Sequence, residues 1–88
     1  MNIGPTMPFA QKLTNIKALY PIWIQNGKKI FSFTFDNVGK VISQDGKTIK
    51  TIYGIKPKYI SFNSDESLAL FVGSDNDIYI AYLNEDET

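Results

Sequence analysis

From residue 22 onward, short apolar runs alternate with Gly, Asn and Asp pairs. That pattern predicts strands joined by tight turns. Ile22-Trp23-Ile24-Gln25 is followed by Asn26-Gly27 and then by Lys29 to Phe35. Asn-Gly between apolar runs favours a two-residue hairpin, because both turn positions need positive φ. Phe31, Phe33 and Phe35 alternate with Ser32 and Thr34, which predicts three rings on one strand face. Asp36 to Gly39 reads as the next turn, and Val41 to Ser43, Asp45-Gly46 and Thr48 to Tyr53 repeat the hairpin pattern. Gly54 and Pro57 punctuate the chain before a strand from Tyr59 to Phe62. Asn63 to Glu66 is a turn, and Leu68 to Val72 is an unbroken apolar run expected to be buried on both faces. Gly73 to Asn76 turns again, and Asp77 to Leu83 is the last strand.

Before residue 22 the spacing is different. Phe9, Leu13, Ile16, Leu19 and Tyr20 recur every three or four positions, which predicts one face of a short helix. Thr6 suits its cap, Pro8 its first turn, and Pro21 stops it. Residues 1–8, with Gly4, Pro5 and Pro8, read as an N-terminal arm, and residues 84–88 as an acidic tail. The whole is a single domain, 1–88, that is mainly β (α+β borderline). One short N-terminal helix precedes a six- to seven-stranded antiparallel meander sheet or small barrel.

Part of this pattern resembles a known repeat. Asp45-Gly46-Lys47-Thr48 through Tyr53-Gly54 is similar to the last strand of a WD40-type propeller blade, and Tyr59 to Leu83 to the three strands that follow. Phe62 and Asp65 stand where such repeats place an apolar residue and a turn acid, and Tyr82 stands near the usual Trp. The Gly-His and Trp-Asp pairs of those repeats are absent, and only the stretch from Asp45 to Leu83 matches. The resemblance implies a sheet that buries its faces against neighbouring sheets. It carries no function with it.

Composition narrows the chemistry. The chain has no Cys, which removes disulfides, thiolate catalysis and most structural zinc sites. It has no His, the usual general base. All nine basic residues are Lys, and they balance nine acids. That balance hides a partition. Nine lysines and two acids, Asp36 and Asp45, leave residues 1–58 with an excess of seven positive charges, whereas residues 59–88 hold seven acids and no lysine. Twelve Ile against three Val, with no Arg, fit an AT-rich genome of the phage or low-GC bacterial kind. There is no apolar run of about 18 residues, and the N-terminus does not read as a signal peptide. A cytoplasmic protein is expected, in host cytoplasm if viral.

The motifs that carry chemistry elsewhere are incomplete here. Gly46-Lys47-Thr48 matches the end of a phosphate-binding loop, but Val41 stands where the first Gly is needed and a strand follows. Asp75-Asn76-Asp77 offers oxygens to calcium, but Tyr79 to Tyr82 fills the span that would supply the remaining ligands. No nucleophile, base and orienter form a set. The expectation is therefore a protein that is not an enzyme, with no catalytic, cofactor-binding or metal site.

Three binding readings remain. The first is a small protein that acts by surface complementarity with a protein partner, such as a phage or mobile-element inhibitor of a host factor. Its candidate surface is the acidic end, Asp65, Glu66, Asp75 and Asp77, with Tyr79 and Tyr82 as aromatic anchors. The second is single-stranded nucleic-acid binding, with Lys28 and Lys29 on phosphates and Trp23 and Phe33 stacked on bases. Against it, alternating rings are also what a core strand shows, and no Arg is present for bidentate contacts. The third is a structural subunit, in which the acidic end of one copy meets the Lys-rich end of the next. The uncharged strand Ile78 to Leu83 is either paired centrally or forms a homodimer, oligomer or partner interface by strand addition.

Overall fold

The computed structural model describes residues 10–84; the expected arm, Phe9, and the tail beyond Asn84 lie outside them. Seven strands follow in order: β1 Ala18–Ile24, β2 Lys29–Thr34, β3 Val38–Ser43, β4 Thr48–Tyr53, β5 Ile55–Phe62, β6 Leu68–Gly73 and β7 Ile78–Tyr82. They form not one sheet or a barrel but two open antiparallel sheets, β1-β2-β3-β4 and β5-β6-β7, each in sequence order. From Thr48 onward the last strand of the first sheet is followed by the three strands of the second.

Local sequence explains the turns. In the β1–β2 turn Asn26 and Gly27 have positive φ (57° and 81°), but so does Gln25 (54°), and four residues rather than the expected two separate the paired Ile24 and Lys29. The turns between β2 and β3, β3 and β4, β5 and β6, and β6 and β7 share another construction. In each an Asp precedes a left-handed residue: Asp36-Asn37 (φ 58°), Asp45-Gly46 (90°), Asp65-Glu66 (60°) and Asp75-Asn76 (72°). Asn and Gly tolerate that region well, whereas Glu66 is strained there and is held by contacts across the molecule.

No helix forms among the described residues. Residues 10–17 are irregular, and Ala18 to Tyr20 already belong to β1. Two physical terms oppose the helical spacing. Thr14 Oγ1 accepts a hydrogen bond from the Ile16 amide, a local alternative to a helical turn. Ala18 and Leu19 are paired across the sheet with Thr34 and Phe33. A bulge between Leu19 and Ile22, with Tyr20 at φ 53°, lets Pro21 sit on this edge strand.

The sheets pack face to face. Phe31, Phe33, Val41 and Ile52 of the first sheet, with Ile24, meet Ile55, Ala69, Phe71 and Leu83 of the second. Phe31 is fully buried, edge-on to Phe33 (5.2 Å) and to Phe62 of the second sheet (5.8 Å). Fully burying side chains of this size contributes about 1.5–3 kcal/mol each. Phe35 departs from the expected trio: it lies past the end of β2 and is 65% exposed. Gly54 (φ 70°) is the sole residue between β4 and β5, and the crossing is tied to both sheets. The Ile55 amide donates to the Asn37 carbonyl (3.0 Å) and the Ser74 amide to that of Gly54 (2.7 Å).

The other faces of the two sheets are treated differently. Behind the first sheet lies the irregular N-terminal segment. Ile16 and Lys17 border a cleft with Thr34, Lys40 and Thr51, and the Leu13 carbonyl sits where a Cβ on Gly46 would fall. Ser32, Thr34 and Ile42 are buried on this side of the sheet. The back of the second sheet has no such cover among the described residues.

Candidate functional site

The acids of the second sheet are first of all turn residues. Asp65 accepts hydrogen bonds from the Ser67 amide (3.0 Å) and hydroxyl (2.6 Å). Asp75 accepts from the Asp77 amide (3.0 Å) and the Tyr79 hydroxyl. Glu66 joins the two sheets: its carboxylate accepts from the Gln25 amide, and its carbonyl from Gln25 Nε2 (2.8 Å). Gln25 Nε2 also donates to Asn84 Oδ1 (2.7 Å), which Lys29 Nζ reaches at 3.3 Å. Sequence reading assigned no role to this inter-sheet contact, because nothing local links residues 41 positions apart.

The hydrogen bonds set the titration of these groups. The carboxyl groups of Asp45, Asp65 and Asp75 are held below their ordinary value of 3.8, chiefly by the hydroxyls of Ser43, Ser67 and Tyr79 respectively. Tyr79, donating to Asp75, is raised above its ordinary 10.0. A carboxyl lowered on folding stabilises the fold above 3.8, and that contribution is lost as pH falls through the folded value. A phenol raised on folding contributes fully below 10.0 and loses its contribution as pH rises through the folded value. The urea midpoint is therefore expected to be level from about pH 5 to 9 and to fall on both sides. In Asp75→Asn the alkaline fall should shrink and the acid fall weaken; an unchanged profile would show that this turn contributes nothing.

The candidate partner residues are not brought together. Asp65 and Glu66 lie in the β5–β6 turn and Asp75 and Asp77 in the β6–β7 turn, at opposite ends of β6. Six residues of strand separate them, roughly 20 Å. Tyr79 faces the first sheet, stacked on Phe71 with ring centroids 5.5 Å apart. Tyr82 is exposed on the opposite face. The nucleic-acid set is also split. Trp23 and Lys28 are exposed and Lys29 is partly covered, but Phe33 is 3% exposed in the core. Its ring is closed to a base in the folded protein, which corrects its assignment to a stacking platform. Among the described residues no three His, Cys, Asp or Glu side chains converge on a point.

The structure instead assembles a surface that the sequence reading missed. The register pairs Leu68 with Tyr82, Leu70 with Ile80, Val72 with Ile78, and Leu70 with Ser61. Strand alternation puts these residues and Tyr59 on the back of the second sheet. Tyr59, Leu70, Ile78, Ile80 and Tyr82 are exposed there, and a shallow apolar groove runs past Tyr59, Ser61, Leu70, Val72 and Ile78. The apolar run of β6 is thus buried on one face, not two. No charged side chain belongs to this set; Lys58, at its margin, turns over the Tyr20 ring of the first sheet (4.9 Å). Along one side of the surface runs the edge of β7, whose only strand partner among the described residues is β6. Compared with known proteins, the chain matches no family model, no curated protein and no solved structure.

Proposed function

We propose that this chain is a non-enzymatic protein-binding module that works by surface complementarity through the back of the β5-β6-β7 sheet. One observation carries the reading: an uncharged apolar sheet face, with Leu70 near its centre and Ile78, Ile80, Tyr82 and Tyr59 around it, stays open to solvent. Contiguous exposed apolar faces of this kind mark interaction sites, whereas singly scattered apolar residues do not. The rings of Tyr59 and Tyr82 supply the large, two-torsion anchors that dominate interface energetics. The acids at the two ends of the sheet form a polar rim, which fits their engagement in turns.

The test uses the full chain as bait in its native cells, with Leu70→Lys and Tyr53→Lys beside it. Tyr53 is exposed on β4, away from the proposed face. A partner held by the native chain and by Tyr53→Lys should lose at least about tenfold in recovery with Leu70→Lys, because a charge at the centre of an apolar contact stays unpaired. Partners that bind Leu70→Lys equally well would overturn the reading.

A further inference from the structure

The two sheets have four outer edges, and their sequences differ in one respect. β1 carries Pro21 and a bulge. β4 carries Lys50, and its register with β3 is broken by a bulge. β5 carries Lys56, Pro57 and Lys58, with an irregularity between Ile55 and Ile60. Proline, lysine and bulges are the devices by which natural sheets keep their edges from pairing with other chains. β7, Ile78-Tyr79-Ile80-Ala81-Tyr82, has none: no proline, no charge, and an unbroken register along β6.

We infer that the edge of β7 pairs antiparallel with β7 of a second copy of this chain, about a two-fold axis at Ile80, to form a continuous six-stranded sheet. The sequence of the strand suits itself. In that register Ile80 lies opposite its own copy and Ile78 lies opposite Tyr82, so a β-branched residue meets an aromatic twice on the back face. On the other face Tyr79 lies opposite Ala81, a large residue against a small one. No like charges oppose each other within the strand; the acids that flank it in each copy lie beyond the five paired residues. Five residues of pairing make a small interface, so the dimer forms at micromolar rather than nanomolar concentration. Because the paired strand is uncharged and only acids flank it in both copies, added salt does not weaken the dimer, unlike a head-to-tail contact between the acidic and Lys-rich parts. Pairing through the edge leaves the back of the sheet open, so this inference does not depend on a partner binding that face.

The absence of cysteine makes the register directly measurable. Directly opposite side chains have Cβ atoms about 4.5–5.5 Å apart, within reach of a disulfide after small adjustment. Under mild oxidation Ile80→Cys should cross-link to itself at least about tenfold faster than Tyr53→Cys, because pairing raises the local thiol concentration. Ile78→Cys and Tyr82→Cys should cross-link to each other when mixed and only slowly alone, being about 13 Å from their own copies. Leu70→Cys, one strand in from the edge, should stay slow. Sedimentation of the native chain should show a dimer whose population rises between about 1 and 100 µM and does not fall at high salt. A monomer throughout that range, or cross-linking at position 80 no faster than at 53, would overturn the inference. So would fast cross-linking at position 70, the mark of a face-to-face dimer. Loss of the Leu70-dependent partner, with the dimer intact, would instead remove only the face reading.

Discussion

Replacing Phe31 with Ala is expected to cost about 3–5 kcal/mol, the range for removing a fully buried aromatic ring. The ring is fully buried and edge-on to both Phe33 and Phe62, so it belongs to both sheets at once. Its loss opens a cavity at the junction, where the backbone cannot close in, because each sheet is held by its own ladder of hydrogen bonds. A chain of this length has a total stability of about 4–13 kcal/mol. The variant should therefore unfold at a clearly lower urea concentration than the native chain, and at the low end of that range it is partly unfolded at room temperature. A midpoint within experimental error of the native chain would show that the two sheets do not depend on each other through this ring.

The second large effect is expected at Gly39, which lies across from Phe33 on β3. A Cβ there would stand 2.9 Å from Phe31 Cζ and 3.0 Å from Cε1, with Ile55 Cγ2 behind at 3.6 Å. The ring tip has little room to retreat, since Phe33 and Phe62 flank it. Gly39→Ala should therefore destabilise by about 1–3 kcal/mol through overpacking. Phe31→Leu shortens the side chain that the new methyl would strike. In the double variant the two losses should fall short of their sum by about 1 kcal/mol, the sign of a shared contact. Simple additivity in urea unfolding would mean that the ring and the glycine do not compete for the same space.

Much of the strand order was legible in the sequence because turns are local. Asn26-Gly27 and the recurring Asp followed by Asn, Gly or Glu set where the chain reverses, since few residues accept positive φ. The described part of the expected N-terminal helix is not helical for the opposite reason. Leu13, Ile16 and Leu19 are spaced for a helix, yet local spacing is a weak term beside edge pairing of Ala18 and Leu19 with β2. The acids were read as a surface because one stretch of chain holds them all. Folding divides them between two turns at opposite ends of β6 and engages Asp65 and Asp75 in turn hydrogen bonds.

The sequence by itself determined the class of structure and the chemistry open to it. Alternation and turn residues dictate antiparallel β structure, and the lack of Cys and His removes thiolate and imidazole chemistry. It also marked Ile78 to Tyr82 as a strand without charge. Only the tertiary structure decided that the strands divide four and three, and that β7 falls at an edge. It alone decided which apolar side chains are covered, putting Phe33 inside and leaving Leu70 and Ile80 outside. The physical reason is that alternation assigns a residue to one face of its strand, whereas burial depends on what stands opposite that face. The cover comes from remote parts of the chain: β5 to β7 on one side of the first sheet and residues 13–17 on the other. No local pattern encodes that cover.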